Sequence, residues 1–427
     1  MEYVCFEGAL HYTLTAHFIL GWKMEEVVLC VEDLGDRHTA DNIVQQWTSV
    51  IQEWNLQGKV IAITTDGAQD YCSAARRFSE NSVWCCCHRL HLISSKLFEQ
   101  NEVLRKVLAK CKAIVSLWNS STNFQREMIE CSPNKNTIKL ASSSAVRWNS
   151  NLKMLESVLK NKTTLEVLQE RYSLDLPDDS EWELLEEIIA KFSSILITSK
   201  ILEKTKHPTI QSVFPLVYEI RKKFSDPCET STVGELGNQL NQLIDHYFCI
   251  SDDTANTYRN CGLLLAATYL DPRTKSFNFL SEERDRTFYA SRTKKFLEEI
   301  ITKFPVVPLS STSHGTTHKK LSTEEFLAGI YQSKETSTDL ERYSLFPTLG
   351  NTEGFCLLDW WSKREAEYPI LSRAVKRILS IPASSAASER TFSITKHQTG
   401  PKRSSLTKEN FSKSSFIACN RHLVKLT

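Results

Sequence analysis

The stretch Lys59-Val60-Ile61-Ala62-Ile63-Thr64-Thr65-Asp66-Gly67 decides the fold class. Its apolar and β-branched residues predict a short buried strand, which ends at Asp66 and Gly67. The end of such a strand is where an α/β sheet commonly presents a carboxylate to a metal ion or a ligand. Taken alone, Asp66 is nevertheless better explained as the cap of the following helix.

Two strands and one helix precede this stretch. Residues 11–19 and 25–31 are rich in β-branched and aromatic residues, which indicates strands. His38-Thr39-Ala40-Asp41 then opens a helix whose apolar residues recur at helical spacing as far as Trp54, and Gly58 closes it. The order strand, strand, helix, strand is typical of a mixed α/β sheet.

The composition is that of a globular protein inside the cell. The chain has 427 residues, 41% hydrophobic and 24% charged, and its longest apolar run is shorter than the roughly 20 residues of a membrane span. The first residues lack a secretory pattern, and the 13 cysteines lie mostly in apolar surroundings, as reduced thiols do. A net charge of +1 gives no general attraction to phosphate, so contact with nucleic acid needs a local basic surface.

The middle of the chain is predicted to be helical. Residues 151–170 have helical spacing, Ser180-Glu181-Trp182-Glu183 resembles a capping box that opens a helix to about Lys204, and residues 233–247 form another amphipathic run. A polar stretch begins at Pro308 and is the best linker in the chain. These features predict domains at 1–150, 151–305 and 321–427, with a linker at 306–320.

Soft metal ligands crowd one short segment, namely Cys85, Cys86, Cys87, His88 and His91. A closed zinc site needs two ligand pairs separated by a loop, and no second pair is evident. We therefore interpret Cys85 and His88 as structural packing at the start of a helix.

Arg147 and Trp148 place a cation beside a large aromatic ring. Such a pair can hold a phosphate and stack on an unpaired base, which is worth about 1–3 kcal/mol per base. In isolation, Trp148 is better explained as a core residue.

The segment Ile381–Ser393 is a proline stop, a run of small residues and then the charged pair Glu389-Arg390 at the head of a helix. Small residues allow close backbone approach, so Glu389 can point into a crowded site. The alternative is a capping-box glutamate, but the residue three positions earlier is Ala386 rather than Ser or Thr.

An apolar and aromatic cluster precedes this segment. It contains Trp360, Trp361, Tyr368, Pro369 and Leu371 and is too apolar for a solvated tail. It is either core or an obligate interface, and a small terminal domain often needs a partner to bury such area. We therefore predict dimerisation through these residues.

Taken in order, these motifs resemble the hAT transposase family, including its domesticated BED-type zinc finger proteins. The resemblance covers nearly the whole chain, and its last block is the most specific. The matching pieces are Thr15-Ala16-His17-Phe18, residues 38–43, residues 63–68, Cys85-x-x-His88-Arg89-Leu90-His91-Leu92, residues 147–150, Leu270-Asp271-Pro272-Arg273, Asp359-Trp360-Trp361 and residues 381–393.

The resemblance implies an RNase H-like mixed sheet interrupted by a large helical insertion, with a C-terminal dimerisation segment, so the fold class is α/β plus α. It also implies that three carboxylates hold two Mg²⁺ ions, which activate the attacking oxygen and stabilise the leaving oxygen of a phosphoryl transfer. Asp66 matches the second carboxylate and Glu389 the third. By the same resemblance, Cys85 and His88 form a structural motif near the site, and Trp148 stacks on distorted DNA.

By the same resemblance, the first of the three carboxylates belongs to an Asp-x-Trp-Thr-Ser element upstream of Thr15. The chain is expected to start after that element, with its first strand truncated and the BED zinc finger absent. Asp33 and Asp36 are no substitutes, because they belong after a later strand.

These observations predict a transposase-derived, catalytically inactive nuclear protein without a cofactor. It is expected to dimerise through residues of about 320–425, to contact DNA or chromatin proteins, and to have no membrane partner. The rival hypothesis is an active cut-and-paste transposase that needs Mg²⁺ and whose upstream aspartate and finger are missing from this sequence.

Overall fold

A computed structural model describes most of the chain. The described residues are 4–9, 13–31, 39–79, 81–132, 139–142, 148–225, 232–248, 262–302, 338–398 and 407–423. Among them, no helix combines the length and the apolar character needed to cross a membrane.

A mixed sheet of five strands forms the N-terminal part. The strands are β1 (Val4–Ala9), β2 (Thr13–Leu20), β3 (Lys23–Val31), β4 (Val60–Thr65) and β5 (Ser82–Trp84), in the order β3-β2-β1-β4-β5. β1, β2 and β3 pair antiparallel, whereas β4 pairs parallel with β1 and with β5. Gly21 and Trp22 both have positive φ, as a two-residue hairpin turn between β2 and β3 requires.

The strand β1 is the central strand of the sheet. Val4–Ala9 lies at the centre of the sheet, where β2 pairs with one of its edges and β4 with the other. Pairing on both edges satisfies the backbone of this short segment, which on its own carries too weak a pattern to be predicted as a strand.

The two faces of the sheet are covered by different parts of the chain. Ala62 and Ile63, neighbours in β4, belong to different hydrophobic clusters because successive strand residues point to opposite faces. Helices α1 (Ala40–Glu53) and α2 (Gln69–Phe78) cover the face of Ile63, with Trp47 fully buried between them.

Ten helices follow among the described residues of the central part. They are α3 (Cys86–Gln100), α4 (Glu102–Ser120), α5 (Thr122–Cys131), α6 (Trp148–Leu159), α7 (Lys162–Tyr172), α8 (Asp179–Leu202), α9 (Ile210–Phe224), α10 (Thr232–Phe248), α11 (Gly262–Leu270) and α12 (Glu283–Thr302).

The helical part differs from the prediction in three details. It begins at Cys86, well before the predicted boundary at residue 150. The helical run at 151–170 is two helices, separated at Asn161. The capping box of α8 pairs Asp178 with Glu181, because Asp178 accepts from the amide of Glu181 at 2.9 Å and Glu181 accepts from the amide of Asp178 at 2.9 Å.

The C-terminal part returns to the sheet. Its helices are α13 (Asp339–Leu345), α14 (Leu357–Ser362), α15 (Pro369–Ile378), α16 (Ala386–Gln398) and α17 (Lys408–Cys419). The indole of Trp22, in the β2–β3 turn, donates to the Glu365 carboxylate at 2.7 Å, and Lys376 lies 4.5 Å from the centre of that indole. The predicted linker at 306–320 lies outside the described residues.

Candidate functional site

Asp66 follows the buried end of β4. Thr64 and Thr65 are buried, and the half-buried Asp66 carboxylate accepts a hydrogen bond from the amide of Ala68 at 3.1 Å. The backbone carbonyl of Asp66 accepts from the Trp84 indole at 3.2 Å. Gly67 has φ of +93°, and a Cβ there would lie 1.8 Å from the indole nitrogen of Trp84. Glycine is therefore required to bring the Asp66 turn against Trp84.

Cys85 caps the N-terminus of α3 with its sulfur. The buried Cys85 Sγ accepts from the amide of His88 at 3.3 Å and from the amide of Ser385 at 3.2 Å. Burial alone would raise the pKa of this thiol, but hydrogen bonds from Cys87, Ser385 and His88 outweigh burial and lower it. The structure thus places Cys85 as a buried contact between two distant segments.

His88 lies near Asp66. Burial lowers the pKa of His88, and the Asp66 carboxylate opposes that shift, so the two side chains are close enough to interact electrostatically. The ring centres of His88 and His91 are 6.0 Å apart. Burial, followed by the charge of His88, lowers the pKa of His91 as well.

The small-residue segment before α16 packs against this region. The Thr64 hydroxyl donates to the Pro382 carbonyl at 2.9 Å, and the Cys86 amide donates to the Ala383 carbonyl at 2.9 Å. The Ser384 hydroxyl donates to the Leu202 carbonyl at 3.0 Å. Small residues are needed here because the segment passes between the sheet, α3 and the end of α8.

Glu389 lies in the first turns of α16. Its amide donates to the Ser385 carbonyl at 3.2 Å, and its side chain is exposed. The structure therefore brings the segments of Asp66, Cys85 and Glu389 together, although they are far apart in the sequence. Among the described residues, no three His, Cys, Asp or Glu side chains converge as ligands of one metal ion.

The DNA contact that was predicted at Arg147 and Trp148 stays a prediction. Arg147 lies outside the described residues, and Trp148 is described only as the first residue of α6.

The residues predicted to mediate dimerisation are mostly core. Trp361 and Leu371 are completely buried, Tyr368 is 2% exposed and Trp360 is 8% exposed, whereas Pro369 is exposed. These burial values correct the prediction that this cluster itself forms the contact between two chains.

The reason is that a second part of the same chain covers this cluster. The Trp361 indole donates to the Leu270 carbonyl at 2.9 Å, and the hydroxyl of Tyr343 in α13 donates to the Tyr269 carbonyl at 2.9 Å. The ring centres of Tyr343 and Trp361 are 5.2 Å apart. Helix α11 thus covers the surface that we predicted to contact a second chain.

Sequence reasoning missed Lys275, which is 5% exposed. Its ammonium group donates to the carbonyls of Tyr343, Ser344 and Phe346 at the C-terminus of α13 and lies 4.6 Å from the ring centre of Tyr343. A cation is favourable at the negative end of a helix dipole. The nearby Leu270-Asp271-Pro272-Arg273 motif was noticed, but nothing local indicated that the lysine after it caps a helix more than 60 residues away.

Three family models match separate parts of the chain. The hAT family C-terminal dimerisation region matches residues 339–419, the ZBED1 RNase-like domain matches residues 5–84, and the ZBED1 RNase-like helical domain matches residues 83–191.

Relatives match over most of the chain. A putative AC transposase of Zea mays is 24% identical, over 93% of this chain and 53% of that protein. Zinc finger BED domain-containing protein RICESLEEPER 1 of Oryza sativa subsp. japonica is 21% identical, over 86% of this chain and 56% of that protein. Human zinc finger BED domain-containing protein 4 is 22% identical, over 97% of this chain and 36% of that protein. The chain thus spans about half of the length of the first two relatives and less of the third.

Proposed function

We propose that the chain is a member of the hAT transposase-related, BED-type family, namely a transposase-derived protein that forms homodimers through its C-terminal region. We propose further that it binds DNA in the nucleus, has no membrane partner and does not cut the DNA. One observation carries the dimer proposal. Within the matched dimerisation region, Leu345 is 83% exposed and Ile417 is 64% exposed, so apolar side chains remain on its outer surface after the core has formed.

We infer that the sheet is RNase H-like. The order β3-β2-β1-β4-β5 supports this inference, as does the change from antiparallel to parallel pairing at β1. In this arrangement Asp66, at the end of β4, corresponds to the second carboxylate of the family, and Glu389 of α16 to the third. Magnesium held by such a set would polarise the phosphate and activate the attacking oxygen.

We propose that the chain does not cut DNA because this sequence lacks the first of the three metal-binding carboxylates of the family pattern. The family pattern has an Asp-x-Trp-Thr-Ser element upstream of Thr15, whereas this sequence has no aspartate before Asp33. One oxygen of Asp66 already accepts from the Ala68 amide, and Glu389 is exposed to solvent. Mg²⁺ demands near-ideal octahedral oxygen geometry, which two such carboxylates support poorly. We therefore propose no cofactor.

One observation favours the rival function, an active phosphoryl transferase. Glu7 pairs in register with Thr64, two residues before Asp66, on neighbouring parallel strands. A glutamate on the central strand would in that case take the role of the missing aspartate. Only the rival function requires Mg²⁺.

A nicking assay distinguishes the two functions. Supercoiled plasmid is incubated with the purified chain in Mg²⁺ or Mn²⁺, in parallel with Asp66→Asn, Glu389→Gln and Glu7→Gln. We expect no nicking above that of the Asp66→Asn protein. Metal-dependent nicking that disappears in all three variants would establish the enzyme and overturn our proposal.

For DNA binding we propose Arg147 and Trp148 as contact residues, by analogy with the family. Trp148→Ala is expected to weaken binding to DNA with unpaired bases by about 1–3 kcal/mol per stacked base and to leave duplex binding nearly unchanged. Equal loss on both substrates would indicate a core role for Trp148. Imaging of the tagged chain in cells tests the nuclear location.

A further inference from the structure

Helix α12 has one buried face and one exposed face. Its inner face buries Tyr289, Thr293 and Leu297, which are 4%, 0% and 0% exposed. The opposite face carries Arg284, Phe288, Ser291, Arg292 and Lys295, which line an open depression of about 850 Å³. The outer face is therefore an exposed surface whose charged side chains are mostly cationic.

The cations on this face form a stripe. At 3.6 residues per turn, Arg284, Arg292 and Lys295 fall within about 80° of the helix circumference. At 1.5 Å per residue they extend over roughly 16 Å along the axis. The exposed ring of Phe288, 43% accessible, lies between the first two of them. Glu298 and Glu299 follow in the next turn and end the cationic stripe.

Several other cations of the described surface are paired with carboxylates. Lys106 pairs with Glu102 at 2.9 Å, and Lys413 with Glu409 at 2.6 Å, each within its own helix. Arg221 pairs with Asp245 at 2.9 Å across two helices. Within the described part of the chain, Arg284, Arg292 and Lys295 make no ion pair, and Glu283 is the one carboxylate that lines the depression.

We propose that the outer face of α12 binds the phosphate backbone of a DNA duplex. This inference rests on the proposed DNA binding and assigns it a surface apart from Arg147 and Trp148. The net charge of +1 means that the whole chain does not attract a polyanion, so the attraction must be local. A stripe of roughly 16 Å is long enough to reach the phosphates on either side of a groove about 12 Å wide.

The test compares two triple variants of the full chain. Arg284→Ala, Arg292→Ala and Lys295→Ala remove the stripe while keeping a good helix former at each position. The control removes the same number of positive charges from another helix, at Arg105, Lys106 and Lys112, which are exposed on α4. Affinity for a labelled random-sequence duplex of about three helical turns is measured by fluorescence anisotropy at several salt concentrations. Thermal unfolding of each variant verifies the fold.

The stripe variant is expected to lose at least about tenfold in affinity at low salt, and its slope of log K against log salt is expected to be smaller by about 2.7, for three phosphate contacts. The control is expected to keep the slope of the unmodified chain.

An unchanged slope in the stripe variant, together with weakened binding in Arg147→Ala, would overturn this inference and leave the proposed DNA binding standing. A chain that does not bind the duplex at all would overturn both. Displacement of the duplex by poly-glutamate at equal charge would assign the face to an acidic protein and also overturn the inference.

Discussion

Gly67 controls how closely the turn at Asp66 approaches Trp84. Gly67→Ala would place a methyl group 1.8 Å from the Trp84 indole nitrogen, in a backbone conformation with φ of +93°. Gly58→Ala is the matched control, because Gly58 has φ of +69° and nothing within 4 Å of the added Cβ. In both variants alanine in the left-handed conformation lowers the free energy of unfolding by about 1–2 kcal/mol. Only Gly67→Ala must also displace Trp84. Urea unfolding should show the larger loss for Gly67→Ala, and equal losses would contradict the contact.

Trp361 tests whether the aromatic cluster is core. We expect Trp361→Ala to lower the free energy of unfolding by about 3–5 kcal/mol, because a large side chain is removed from a closed site. The variant also leaves the Leu270 carbonyl without its indole donor. Trp54, which is 38% exposed, provides the control of the same residue type, and Trp54→Ala should cost clearly less. If Trp361→Ala changes only the oligomeric state and not the stability of the chain, the cluster is an interface after all.

His88 and His91 make stability depend on pH. Burial lowers the pKa of each, so below the ordinary value of 6.5 the unfolded chain binds protons that the folded chain does not. Stability from these two groups is complete above pH 6.5 and is lost as the pH falls through the lower folded pKa values. Urea midpoints measured on both sides of pH 6.5 should show this loss, and the double variant His88→Gln, His91→Gln should flatten it. An identical pH dependence in the double variant would show that other groups cause it.

At the scale of elements, α17 and the residues after it protect the edge of the sheet. β3 is an edge strand, and edge strands expose backbone groups that can pair with other chains. The Asn420 side chain accepts from the Val28 amide at 2.9 Å and donates to the Val28 carbonyl at 2.8 Å. His422 lies 3.2 Å from the Glu26 carbonyl. Asn420 thus pairs with the edge as a neighbouring strand would.

Asn420→Asp should open this edge. The variant keeps the shape and the acceptor but loses the donor to the Val28 carbonyl, which leaves a buried acceptor unpaired at a cost of about 1–3 kcal/mol. Hydrogen exchange should show faster exchange of the Val28 amide and of α17. Asn410→Asp, at an exposed position of the same helix, should change the stability by less than about 0.5 kcal/mol. Unchanged protection at Val28 in Asn420→Asp would mean that other contacts hold the edge.

Elements with a strong local pattern were predictable from the sequence. Several residues in a row carry the sequence pattern of a strand or a helix in β2, β3, β4 and α1. The structure has these elements near the predicted positions. β1 and β5 were not predicted, because six and three residues carry too little pattern. β1 becomes a strand by pairing with β2 and β4, and β5 by pairing with β4. The capping box of α8 was predicted two residues late, since both Asp178 and Ser180 are good N-cap residues.

At the scale of the whole molecule, the site depends on contacts that no local pattern contains. The contact between Cys85 and Ser385 joins residues 300 positions apart, and that between Thr64 and Pro382 joins residues 318 apart. The motifs around Asp66, Cys85 and Glu389 could be recognised one by one. Only the family resemblance implied that these motifs converge. No local pattern can predict it, because the entropic cost of closing so long a loop is offset only by contacts between the distant surfaces.

The same long-range packing changes how dimerisation must be tested. Substitutions in the buried aromatic cluster would unfold the chain, so the informative side chains are the exposed apolar ones of the C-terminal region, Leu345 and Ile417. Light scattering of the unmodified chain at micromolar concentration should give twice the mass of one chain. The double variant Leu345→Lys, Ile417→Lys should raise the dissociation constant by at least about tenfold, or about 1.4 kcal/mol, because a buried unpaired charge opposes association.

Val167 supplies the control for that experiment. It is 68% exposed on α7, outside the matched dimerisation region, so Val167→Lys adds the same charge to a comparable apolar position. We expect this variant to dimerise as the unmodified chain does. A monomer at every concentration of the unmodified chain would refute self-association. A dimer that survives the double lysine variant but dissociates in Val167→Lys would move the interface to the helical part, because a charge disrupts association only where it becomes buried between the two chains.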